Sequence, residues 1–174
     1  MSLKLPVAPL RDHIEGPNDA PVTLVEYGDY ECPYCGMAYP IVKSIQKKMG
    51  SKLRFVFRNF PLAEIHPHAA HAAAAAEAAD AQGKFWPMHD LLFERQKALG
   101  DHHLVEIAEE LNLDATRLMA EVKDGTYEAR VREDFVSGVR SGVNGTPTFF
   151  INGERHNESW DEETLLAALE AAAE

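Results

Sequence analysis

Two spacings of apolar residues organise the chain. Residues 22–27, Val-Thr-Leu-Val-Glu-Tyr, are rich in β-branched and aromatic side chains and predict a buried strand. Upstream of them, Gly16, Pro17, Asn18 and Pro21 form a turn-rich stretch, so the structured region is expected to begin there, with 1–16 as an N-terminal extension. Met37, Ile41, Ile45 and Met49 then recur at every fourth position, with Lys43, Ser44, Lys47 and Lys48 between them. That pattern predicts an amphipathic helix ending at Gly50, kinked at Pro40. Residues 53–57 alternate again and predict a second strand.

From residue 61 to residue 142 no strand pattern appears. Residues 69–81 are almost all alanine, the strongest helix former, and 88–99, 103–111, 115–123 and 127–140 each carry an apolar stripe at helical spacing. In the last of these the stripe is Tyr127, Val131, Phe135 and Val139. Strand character returns at 148–151, followed by Asn152-Gly153, the preferred pair for a two-residue hairpin turn, and a returning strand at 154–156. Ser159, Asp161 and Glu162 supply N-cap signals for a final helix built on Leu165, Leu166 and Leu169. The expected order is β, α, β, a helical insert over 61–142, a β-hairpin and α, all within one domain spanning 1–174.

The chain has 174 residues, 45% of them hydrophobic and 26% charged, ordinary proportions for a globular domain. Its 17 Lys and Arg against 28 Asp and Glu leave a net charge of −11, which repels phosphate backbones and argues against nucleic acid as a partner. No uncharged apolar run approaches the ~18 residues of a membrane span. Met1 to Pro6 carry no secretory apolar segment, so the sequence as it stands reads as cytoplasmic, or as exported if a leader has been removed.

The only cysteines, Cys32 and Cys35, are spaced Cys-x-x-Cys between the first strand and the first helix. A thiolate is the nucleophile of disulfide exchange, and a free thiol with a pKa near ~8.5 is mostly protonated at neutral pH. The unpaired N–H groups and dipole of a helix N-terminus favour the thiolate, and Pro33 in the first turn has no N–H to leave unpaired. Cys32 is expected to be exposed and to attack, and Cys35 to be buried and to resolve. A competing reading is half of a zinc site, with His66, His68 and His71 as further ligands. Those histidines also fit a solvated or capping role beside the alanine helix, and Phe85 and Trp86 fit the core of the insert. Tyr27, Tyr30, Pro33 and Tyr34 crowd the motif and predict an apolar patch beside Cys32.

The run VTLVEYGDYECPYC at 22–35, followed far downstream by GTPTFFING at 145–153, resembles the DsbA-like thiol–disulfide oxidoreductases of the thioredoxin fold. The resemblance covers nearly the whole chain and implies a thioredoxin-like α/β sheet with an inserted all-helical subdomain. Phe60-Pro61 and His66-Pro67-His68-Ala69 also resemble thioredoxin-like domains fused to some bacterial sodium/proton antiporters. The family implies that Pro147 is a cis proline facing the disulfide and that Thr146 pairs with the substrate backbone. Glu26 interrupts an apolar strand six residues before Cys32, and a carboxylate there is costly to bury. In thioredoxin-like proteins an acid at this offset passes protons to the buried cysteine; a strand-end carboxylate paired to a lysine such as Lys52 is the plain alternative. The strongest oxidants of the family have histidine where this chain has Tyr34, and Glu31 adds a negative charge nearby, which leaves the direction of redox transfer open.

The function these features imply is thiol–disulfide exchange through a Cys32–Cys35 disulfide, by oxidation, reduction or isomerisation of protein or peptide substrates. Pro33, Tyr34, Thr146 and Pro147 would contact the substrate, and Glu26 would handle the proton. No cofactor and no resident metal are expected. A monomer recycled by a separate redox partner is the expected form. The rival readings are a peptide-binding or zinc-binding adaptor without catalysis, and a glutathione-linked, glutaredoxin-like reductase.

Overall fold

A computed structural model describes residues 1–174 and divides the chain into two compact units. The first comprises Met1–Gly28, Met37–Arg58 and Val136–Glu174; the second comprises Asp29–Gly36 and Asn59–Phe135.

A five-stranded sheet organises the first unit. Its strands are β1 (His13–Glu15), β2 (Val22–Gly28), β3 (Leu53–Asn59), β4 (Thr148–Ile151) and β5 (Glu154–Arg155), in the order β1-β3-β2-β4-β5. The central strand β2 is buried at every position except Thr23, which is why it reads as a continuous apolar run. β4 lies antiparallel to it, with Glu26 opposite Phe149 and Leu24 opposite Ile151. Asn152 and Gly153 both take positive φ, 47° and 84°, as the tight hairpin turn between β4 and β5 requires. The helix α7 (Glu162–Ala172) buries Leu165 and Leu169, and its N-cap Asp161 accepts the Thr164 N–H at 2.9 Å.

Two expectations fail here. The stretch before Pro17 supplies β1, which pairs with β3 through His13–Phe57 and Glu15–Phe55. Three residues with a single β-branched side chain, Ile14, are too few to read as a strand locally, so the pairing is a long-range decision. In α1 (Pro33–Met49) the buried positions are Cys35, Ala38, Val42, Ile45 and Met49, while Met37 is 60% exposed and Ile41 is half-buried. A strict four-residue repeat drifts by roughly 40° per step around a helix of 3.6 residues per turn, so it cannot stay on one face for three turns. Pro40 lies inside this helix.

The first unit also buries a polar network. Arg58 is fully buried and grips Asp12 with two hydrogen bonds, Nε to Oδ1 at 2.9 Å and Nη2 to Oδ2 at 3.0 Å. A third runs from Arg58 Nη1 to the Tyr27 hydroxyl, also at 2.9 Å, and Tyr27 shares a 2.8 Å bond with Ser137.

Helices make up most of the second unit: α2 (Ala69–Ala81), α3 (Phe85–Glu94), α4 (Asp101–Glu110), α5 (Ala115–Asp124) and the first part of α6 (Glu128–Arg140). The buried residues of α2 are all alanine except Glu77, and α3 and α5 pack against it. The third helix starts earlier and stops earlier than its apolar stripe implies, at Glu94 rather than Leu99. The stripe expected on α6 breaks at Val139, which is 53% exposed, because the same drift carries it off the face that buries Val131. That face carries Asp134 one turn on, and Asp134 accepts from the Asn59 amide N–H at 3.0 Å, the Asn59 side chain at 3.1 Å and Arg130 at 2.7 Å.

Candidate functional site

The Cys-x-x-Cys segment lies in the second unit, where a tight turn feeds a helix. The Cys32 N–H donates to the Asp29 carbonyl at 3.1 Å, and the Gly36 N–H donates to the Cys32 carbonyl at 3.0 Å, which opens α1. Pro33 is the first helical residue, where its missing N–H leaves no vacancy. Neither cysteine is part of a disulfide in this structure. Cys35 is fully buried, as expected, but Cys32 is buried too, with 4% exposure. The exposed nucleophile read from the sequence is therefore corrected to a nearly covered one. A clamp holds the turn: Gln96 Nε2 donates to the Tyr30 carbonyl at 3.0 Å and to the Cys32 carbonyl at 2.6 Å. A Cβ at Gly36 would stand 2.2 Å from Gln96 Oε1, so a glycine there lets the glutamine close over the turn.

Beneath the motif lies Asp29, 1% exposed. Its Oδ1 accepts the Glu31 N–H at 2.8 Å; its Oδ2 accepts the Leu62 N–H at 2.9 Å and meets His66 Nδ1 at 2.7 Å. The Asp29 N–H points at the Cys35 Sγ, 3.5 Å away. Glu31 turns its carboxylate to the His68 N–H at 2.8 Å. Tyr30 is buried, its hydroxyl 2.9 Å from His89 Nδ1 and its ring tilted against Phe93 at 4.8 Å.

The aromatic patch expected beside Cys32 therefore shrinks. Tyr27 and Tyr30 are consumed by hydrogen bonds inside their own units, because each hydroxyl finds a buried partner. Tyr34, 61% exposed, stays on the surface with Pro33. Phe85 is buried in the insert and Trp86 is half-buried, both ringed around His89.

The remaining expected site residues lie in the first unit. Glu26 is 3% exposed within β2. The Thr146–Pro147 peptide is cis, and both residues are half-buried just before β4. As for the histidines, His66 is held by Asp29, His71 meets Asp101 at 2.7 Å, and His68 is exposed at the N-cap of α2. No three His, Cys, Asp or Glu side chains converge as a metal site would require.

A family model described as thioredoxin matches residues 10–171. The chain belongs to the thioredoxin family. Among solved structures it resembles oxidised BdbD from Bacillus subtilis, with a TM-score of 0.86, 25% identity and 95% of each chain covered. A thioredoxin-like oxidoreductase from Silicibacter pomeroyi gives a TM-score of 0.82 at 27% identity, covering 93% of this chain and 92% of that one. Both neighbours share its thioredoxin fold over more than nine-tenths of the chain. The Na(+)/H(+) antiporter NhaA 1 of Salinispora arenicola is 48% identical over 172 residues, 99% of this chain and 26% of that protein. The chain thus spans about a quarter of the length of the curated relatives it matches, in line with the antiporter-fused domains that residues 60–69 resemble. No helix is long and apolar enough to cross a membrane.

Sequence reasoning passed over Asp29 and Gln96 and gave His66 only a surface or metal role. Asp29 had a signal available, since an aspartate two residues before an amide it can accept is the pattern of an Asx-turn. Gln96 lies 64 positions from Cys32 and left no local trace.

Proposed function

We propose that this chain exchanges a Cys32–Cys35 disulfide with the thiols and disulfides of protein or peptide substrates. The observation that carries the reading is the pair of cysteines at the N-terminus of α1, with the less buried Cys32 immediately before the helix and Cys35 in its first turn. A substrate thiolate attacks Cys32 Sγ, a mixed disulfide forms there, and the electron pair of the broken Cys32–Cys35 bond leaves on Cys35. Attack by a second substrate thiol on the mixed disulfide, with Cys32 as leaving group, releases an oxidised substrate and the reduced protein. A separate redox partner restores the disulfide. Run backwards, the same steps reduce or isomerise a substrate disulfide.

Glu26, a buried carboxylate, is assigned the proton that Cys35 gains or loses. Pro33 and Tyr34 offer surface beside the nucleophile, and the family resemblance gives Thr146 and Pro147 to the substrate chain. The test is an insulin-reduction assay on three variants that keep the fold. Cys32→Ser should abolish turnover, Cys35→Ser should accumulate covalent mixed disulfides, and Glu26→Gln should slow release between pH 6 and pH 9. Turnover surviving in Cys32→Ser would refute the assignment.

A further inference from the structure

Disulfide attack at Cys32 produces negative charge on Cys35, a fully buried sulfur. A buried thiolate is unfavourable unless donors already point at it. One donor is in place: the Asp29 main-chain N–H, 3.5 Å from Cys35 Sγ, within range of a hydrogen bond to sulfur. A donor fixed where charge develops stabilises the product of bond cleavage without having to reorganise.

What fixes that N–H is the side chain of the same residue. The Asp29 carboxylate is sealed from solvent and tied at both oxygens, to the Glu31 and Leu62 amides and to His66 Nδ1 at 2.7 Å. His66 comes from a loop that is itself closed by its own N–H on the Leu62 carbonyl at 2.9 Å. Asp29 therefore cannot swing without breaking three bonds, and its amide stays on the sulfur.

We propose that the Asp29 amide receives the leaving thiolate of Cys35, and that His66 is the positioning residue that latches Asp29 in place. The inference rests on the exchange reading above and names a part of its machinery. The step balances within that reaction: the substrate thiolate forms an S–S bond at Cys32 Sγ, the Cys32–Cys35 bond breaks, and Cys35 departs as a thiolate under the Asp29 N–H. Because a thiolate accepts a hydrogen bond more strongly than a disulfide sulfur does, the latch stabilises the reduced state and makes the disulfide the stronger oxidant.

The experiment compares His66→Leu, which removes the donor to Asp29, with His66→Asn, whose amide can replace Nδ1 without its charge. Each full-length protein is equilibrated with glutathione buffers, and the rate of mixed-disulfide formation is followed in the same samples. His66→Leu should shift the equilibrium about three- to tenfold toward the disulfide form and slow attack to match, and His66→Asn should recover most of both. Wild-type values in a folded His66→Leu protein would overturn the latch while leaving the exchange reading intact. An equal shift in both variants would assign the effect to imidazole charge and overturn it as well. Absence of any exchange with glutathione in the wild type would instead defeat the exchange reading, and the latch with it.

Discussion

Asp12 and Asp29 are both aspartates with side chains sealed from solvent, one in each unit, and they are satisfied by opposite means. Asp12 faces a guanidinium as buried as itself, with Arg11 and the Ala8 amide completing its shell. Burial pushes its carboxyl up, but the Arg58 hydrogen bonds and charge, the Ala8 amide and Arg11 outweigh burial and hold it below the usual value. Arg58 answers in kind: burial would pull it down, and its hydrogen bond to Asp12, with the nearby Tyr27 and Asp12 charges, raises it. Asp29 has no guanidinium. Two main-chain amides and an imidazole hold it, and the imidazole is 16% exposed. The first arrangement is a closed ion pair; the second reaches both solvent and the Cys35 sulfur. The partner's chemistry, more than burial, separates a structural carboxylate from a functional one.

The largest effect should come from breaking the closed pair. Arg58→Met leaves the buried Asp12 with only the part-exposed Arg11 as a cation and should cost about 3–5 kcal/mol in urea unfolding. The surviving folded fraction should still exchange disulfides at the wild-type rate. A loss below about 1 kcal/mol would mean that the pair is not what holds β3 to the N-terminal segment.

Acid offers a second, smaller separation. A carboxyl whose folded pKa is depressed contributes stability above its unfolded value of about 3.9, and that contribution disappears as pH falls through the folded value. The unfolding midpoint of the wild type should therefore decline below about pH 4 with a slope that the double variant Asp12→Asn, Arg58→Met lacks. Parallel acid profiles for the two proteins would count against Asp12 as the titrating group.

The smallest effect concerns the clamp over the turn. Gln96→Ala removes two hydrogen bonds to main-chain carbonyls and should cost about 1 kcal/mol while raising the alkylation rate of Cys32. Gly36→Ala should displace the same glutamine from the other side. Combining the two should be no worse than the more damaging single change, and strict additivity of the pair would show that they do not share the clamp.

Most of the frame was legible because its determinants are local. β2 announced itself by composition, the β4–β5 hairpin by Asn152-Gly153 and α2 by alanine, while the cis Thr146–Pro147 peptide was expected from the family resemblance alone. What escaped was settled at a distance. β1 exists only through its register with β3. The buried face of α1 differs from the apparent stripe by one residue because a four-residue count ignores the pitch of the helix. Asp29 and His66 are 37 positions apart, and a contact between a turn and a loop leaves no periodicity to read. The clamp of Gln96 on the Cys32 carbonyl was hidden for the same reason, since the two residues are 64 positions apart.

The alanine helix α2 has a mechanical consequence. Its buried side chains, Glu77 apart, have no rotamers, so the neighbouring helices rest on a surface that can neither repack nor be compressed. His66 stands three residues before the first residue of that helix, with only Pro67 and His68 between. A push on the loop cannot be dissipated by side-chain rearrangement in α2 and must be taken up by those two residues, one of which has its φ locked by its ring. Asp29 is thus moored, through His66, next to a helix whose buried face is almost all alanine. Its amide keeps a fixed height over Cys35 while bonds to sulfur are made and broken beside it.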